Sequence, residues 1–118
     1  MKDVVALGEL LIDFAPVSTD AAGYPTVTAQ PGGAPGNFLA ALQKYGCSTA
    51  MIGKVGDDAF GRLLIGTVAE KGIDTKGIVC DPNVFTTLAF VTLDATGNRE
   101  FSFARKPGAD TCLRTDEV

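Results

Sequence analysis

Gly32 and Gly33 stand side by side immediately ahead of a segment with helical periodicity, in the run GGAPGN at Gly32–Asn37. Two adjacent glycines before a helix let the backbone approach another group where any Cβ would clash. The helix start that follows presents free N–H groups to an oxygen-rich ligand. The side-chain amide of Asn37 both donates and accepts, which suits a hydroxyl that does the same. The plain alternative is a tight turn with a helix cap, because Gly-Gly alone is a weak motif.

The flanking runs place this turn in an alternating pattern. Val4–Leu7 is a short apolar run closed by Gly8, as in a buried parallel strand. Leu10–Phe14 continues extended, with Asp13 the one charge among apolar neighbours. Ser18–Pro25 carries turn formers, and Thr26–Gln30 alternates β-branched with small residues, a strand signal. Pro35 and Gly36 open a helix whose apolar face is Phe38, Leu42 and Tyr45, with Leu39, and Gly46 ends it. Ala50–Val55 is a second buried strand. Asp57 or Asp58 then caps a helix with Phe60, Leu64 and Val68 inward, closed at Lys71–Gly72. Gly61 and Gly66 weaken that helix by up to about 1 kcal/mol each, which predicts close packing against the sheet. Thr86–Leu93 and Arg99–Arg105 form a hairpin around Asp94–Asn98. The alternation indicates an α/β sheet. Thr26–Gln30 and the hairpin fall outside it and read as a small separate β-sheet over one end of the body.

Composition narrows the functions. With 46% hydrophobic residues the chain is no disordered segment, and 118 residues bury roughly two-thirds of their unfolded surface. A net charge of −4 without a basic run argues against nucleic acid. No apolar run reaches the roughly 20 residues of a membrane span, and Met1–Lys2–Asp3 reads as leading directly into a strand rather than as a signal peptide. Cys47, Cys80 and Cys112 form no CxxC pair and histidine is absent, so neither a zinc site nor a base-activated cysteine is expected. These thiols read as reduced, in the cytoplasm.

Asp13 ends an extended run where open α/β sheets bind ligands, and its carboxylate can accept two hydroxyls; its alternative is a strand-end turn cap. Asp57 and Asp58 read as helix-capping acids rather than an acid–base pair. In Arg99–Arg105 the period of two puts Phe101, Phe103 and Arg105 on one face, with Phe90 expected to reach it from the preceding strand. Aromatics beside a guanidinium suit a sugar or sugar acid under a lid; the alternative is an ordinary core face with Arg105 snorkelling to water. The chain has no GxGxxG after Leu7 and no Gly-Lys-Ser or Gly-Lys-Thr, so neither dinucleotide nor phosphate-loop fingerprint is present.

Taken together, GELLID at Gly8–Asp13, GGAPGN, GKVGDDAFG at Gly53–Gly61 and FSFARKPGAD at Phe101–Asp110 resemble, in order and spacing, the amino-terminal half of ribokinase-like (PfkB-type) sugar kinases, most of all fructokinases. The resemblance implies an α/β ribokinase-like parallel-sheet sandwich with a β-sheet lid at about 14–31 and 85–105. Residues 1–118 would form the N-terminal part of one sugar-kinase domain. Asp13, Gly33 and Asn37 would bind sugar hydroxyls, and Phe90, Phe103 and Arg105 would contact the sugar from the lid. The full enzyme would move a phosphoryl group from ATP, with Mg2+, to a primary hydroxyl of fructose. Alternatives are 2-keto-3-deoxygluconate or a nucleoside as substrate, or a non-catalytic sugar-binding or dimerisation module. Ribokinases carry lysine where Ala34 stands, and kinases of 2-keto-3-deoxygluconate typically carry tyrosine near Phe103. The family's catalytic aspartate and anion hole, in a GAGD-type segment, and its nucleotide-binding half do not occur here. The chain alone is therefore expected to hold no catalytic residue and no activity. An exposed sheet edge and an apolar hairpin face invite pairing, so a homodimer through the lid strands Thr26–Gln30 and Thr86–Arg105, or aggregation through open sheet edges, is expected.

Overall fold

The step from Leu7 to Leu11 carries the chain out of one sheet and into another. In the computed structural model, which describes residues 1–118, strand β1 (Val4–Leu7) lies in a parallel sheet with β4 (Thr49–Gly56) and β5 (Asp74–Asp81), in the order β1-β4-β5. The second sheet has the order β3-β2-β6-β7 and holds β2 (Leu11–Thr19), β3 (Pro25–Gly32), β6 (Leu88–Leu93) and β7 (Arg99–Ala104). β2 runs antiparallel to β3 but parallel to β6, and β6 and β7 close the hairpin. Helix α1 (Ala34–Lys44) returns the chain from β3 to β4, and α2 (Ala59–Glu70) links β4 to β5.

A shared core joins the layers: Leu10, Ile12, Leu39, Met51, Val55, Leu64, Val68 and Ile73. Leu64 and Val68 of α2 face inward at helical spacing, as expected, with Phe60 packed at the edge. Asp58 is the cap of α2. Its carboxylate accepts from Gly61 N at 2.7 Å and, beyond the helix, from Thr86 N at 2.9 Å and Thr86 Oγ1 at 2.8 Å. Burial opposes its charge, but these hydrogen bonds win and hold the carboxyl below its ordinary value.

Some expectations from the sequence differ from the structure. In α1 the buried residue is Leu39, while Phe38 and Tyr45 are exposed. Gly61 does pack closely, since a Cβ there would run into the carbonyl of Gly56; at Gly66 a Cβ would meet open space, and nothing in the packing requires glycine. Strand β5 has no clear signal in the sequence. Its Asp74, Lys76, Gly77 and Asp81 dilute the apolar signal, which a half-buried edge strand can tolerate.

After the lid, two short 3-10 turns (Ala109–Thr111 and Thr115–Glu117) return to the body. Lys54, 3% exposed, anchors them. Its Nζ donates to Glu117 Oε1 at 2.8 Å and Cys112 O at 3.2 Å, and stands 3.4 Å from Asp81 Oδ2. No helix is long and apolar enough to cross a membrane.

Candidate functional site

Because strand side chains alternate, residues paired across strands share a face. The register sets Asp13 of β2 opposite Gln30 of β3 on one side and Ala89 of β6 on the other, and Ala89 opposite Phe103 of β7. One row across the lid sheet is therefore Gln30, Asp13, Ala89, Phe103. Asp13 and Phe103 stand two strand spacings apart, about 10 Å. One step along, the same face opens into a cleft of about 460 Å³ lined by Asp13, Ala15, Gln30, Val91, Arg99 and Phe101, among others.

The Asp13 carboxylate is placed by the glycine pair, since a Cβ on Gly32 would collide with its Oδ2. Gly33 is held at φ 113°, where L side chains are strained, and a Cβ there would lie 2.5 Å from the carbonyl oxygen of Glu9. The doublet thus lets β3 and α1 close on the GELLID segment. Burial first, and then the Glu9 carboxylate, push the Asp13 carboxyl above its ordinary value, and no hydrogen bond offsets them. An acceptor without a donor, on a half-buried face, is ready for hydroxyls.

Arg105 extends the row of Phe103, with its guanidinium carbon 5.2 Å from the ring centre, and Phe103 in turn stacks on Phe101 at 6.3 Å. Arg105 Nη2 donates to Glu9 Oε2 at 2.9 Å and to Asp110 Oδ2 at 2.8 Å. Asp110, its side chain 2% exposed, also accepts from the hydroxyl of Thr87. Arg105 Nε is buried without an acceptor. Burial works against the guanidinium charge, yet the Glu9 and Asp110 hydrogen bonds outweigh it and raise the arginine above its ordinary value.

Asp13, Gly33, Phe103 and Arg105 are thus drawn to one side of the lid. Phe90 is not. It pairs with Phe14 and Ser102, so it points to the opposite face, where it stacks on Phe14 at 5.1 Å while Phe14 meets Phe60 edge-on at 5.5 Å. The expectation that Phe90 shares the face of Phe103 is corrected on that register. Asn37 is exposed on the first turns of α1 and lines a groove beside α2 with Lys44 and Lys71. Asp13 itself lies within the lid strand β2 rather than beyond a strand of the parallel sheet. Glu9 and Asp110 join the site without a motif of their own to mark them. The signal for them was a half-buried arginine among aromatics, which needs carboxylate partners.

Similarity to known proteins covers nearly the whole chain. Fructokinase-1 of Zea mays is 46% identical over 117 residues, which make up 98% of this chain and 36% of the relative. Fructokinase-1 of Oryza sativa subsp. japonica is 45% identical over the same shares. The chain thus spans about 36% of the length of these curated relatives. Among solved structures, fructokinase from Xylella fastidiosa superposes with a TM-score of 0.91 at 38% identity, over 98% of this chain and 36% of that one. Its structure with bound ATP gives 0.88 at 36% identity, over 98% and 34%. The pfkB family carbohydrate kinase model matches residues 1–116, and the chain belongs to that family.

Proposed function

We propose that the complete protein transfers the terminal phosphoryl group of ATP to a hydroxyl of fructose, and that this chain supplies the surface that holds the sugar. The observation that carries the reading is Asp13, a half-buried carboxylate lacking a hydrogen-bond donor, on the same sheet face as Phe103 and Arg105. Asp13 accepts from two sugar hydroxyls, Gly33 lets the turn beside it close on the Glu9 backbone, and Phe103 covers the C–H face of the ring. Arg105 donates to a further oxygen. Phe90, on the other face, is given no part, and Asn37 is given none from its outward position.

ATP with Mg2+ supplies the phosphoryl group and offsets its charge when bound. Neither group is assigned to a residue of this chain. The exposed edges of β3 and β7, with Val27, Phe101 and Phe103 exposed, favour pairing of two copies through the lid. The free thiols of Cys47, Cys80 and Cys112 fit a reducing cytoplasm.

The test is kcat/KM of the complete protein for fructose, ribose, adenosine and 2-keto-3-deoxygluconate, with ATP. Preference for fructose is expected. Preference for any of the others overturns the substrate assignment, and no turnover with any of them overturns the activity.

A further inference from the structure

Charge and geometry around Arg105 bear on which sugars this surface accepts, granted the sugar-binding reading above. A guanidinium grips a carboxylate with two parallel N–H groups. Both such forks use Nη2: one pairs it with Nη1, the other with Nε. Here the two N–H groups of Nη2 are already given to Glu9 Oε2 and Asp110 Oδ2, at 2.9 and 2.8 Å. Nε is buried without an acceptor, out of a ligand's reach. What remains is Nη1, whose N–H groups offer single contacts suited to hydroxyl or ring oxygens. The charges point the same way. Glu9 and Asp110 both pair with the one arginine, and Asp13 feels the Glu9 carboxylate from the other side, so three carboxylates stand along this face against one guanidinium.

We propose that Glu9 and Asp110 are specificity-determining residues that occupy the Arg105 fork, making the site a reader of neutral sugars that turns away sugar acids. Glu9 is the adjustable member. Its side chain is 42% exposed, whereas that of Asp110 is 2% exposed and also held by Thr87. Rejection here works by an occupied donor and like charge, the repulsive side of specificity.

Glu9→Gln removes one charge and weakens one claim on Nη2. Asp110→Asn does the same from the buried side, and Glu9→Asp keeps the charge on a shorter arm. The readout is the ratio of kcat/KM for 2-keto-3-deoxygluconate to that for fructose in the complete protein. A ratio at least tenfold above wild type is expected for Glu9→Gln, with Glu9→Asp restoring most of the discrimination against the acid. A general packing defect would lower both substrates together and leave the ratio in place. If Asp110→Asn does not fold, the Glu9 variants decide alone. A wild type that prefers fructose, with an unchanged ratio in Glu9→Gln, overturns the clamp and leaves the fructose reading standing. A wild type that prefers another neutral sugar, with the ratio of acid to that sugar raised in Glu9→Gln, overturns fructose and leaves the clamp. A wild type that prefers the sugar acid overturns both.

Discussion

The Asp58 carboxylate caps α2 through Gly61 N at 2.7 Å and, with its other oxygen, holds Thr86 N at 2.9 Å, at the entrance to β6. One side chain thereby ties the helix of the body to the hairpin of the lid. Asp58→Ala is expected to destabilise the chain by about 2 kcal/mol, the upper range for loss of a capping side chain. The pH dependence has a definite sign. Its carboxyl lies below its ordinary value when folded, so the contribution is present above about pH 4 and is lost as pH falls through the folded value. Thermal melts of wild type and Asp58→Ala at pH 7 and pH 3 check it: the gap should narrow in acid.

Asp13 has the opposite sign. Its carboxyl is raised by burial and by Glu9, so its ionised form costs stability above the raised value, and that cost is relieved as pH falls through it. Asp13→Asn is expected to melt at or above the wild-type temperature at pH 7. The same variant is expected to lose fructose affinity by roughly ten- to a hundred-fold in the complete protein, as the charge-assisted hydrogen bonds disappear. A calorimetric titration and a melt on one sample separate the two effects.

Gly61 and Gly66 lie in one helix and should respond oppositely to alanine. At Gly61 the new Cβ runs into the Gly56 carbonyl, so destabilisation by about 1–3 kcal/mol is expected. At Gly66 it meets open space, and helix propensity alone predicts a gain of up to about 1 kcal/mol. Urea midpoints for the two variants provide the measurement.

Lys54 is the anchor for the return of the chain from the lid. Lys54→Met is expected to release the turn at Thr115–Glu117, seen as faster amide exchange at Cys112–Val118 with β4 still protected. The anchor's pH window follows from its partners. Lys54 is raised, foremost by Glu117, so its part is lost as pH climbs through the folded lysine value. Asp81 is lowered foremost by the Asn83 amide and Glu117 by Lys54, so their parts are lost as pH falls through the folded carboxyl values. Protection is expected to be greatest between about pH 5 and pH 10.

Much of this architecture was legible in local patterns. The limits of both helices, the Asp58 cap and the hairpin around Asp94–Asn98 follow from caps, glycines and periodicity, and those signals are short-range. Along Arg99–Arg105, β7 and the residue after it, the period of two places Phe101, Phe103 and Arg105 together, as the structure has them. It does not say which face of a neighbouring strand they join, because that depends on register across the turn, and so the face of Phe90 is not legible from it. The Arg105 clamp spans a separation of 96 residues to Glu9, and no local pattern encodes such a pairing. β5 was hidden because an edge strand half in water tolerates the charges and glycine that blur a strand signal.

Sugar is proposed to bind on the Asp13–Phe103 face of the lid sheet. A crystal structure of the complete protein with fructose tests it most directly. Sugar hydroxyls are expected within about 3 Å of the Asp13 carboxylate, with the ring against Phe103. Fructose seated on the opposite face, beside Phe90 and Phe60, would contradict it.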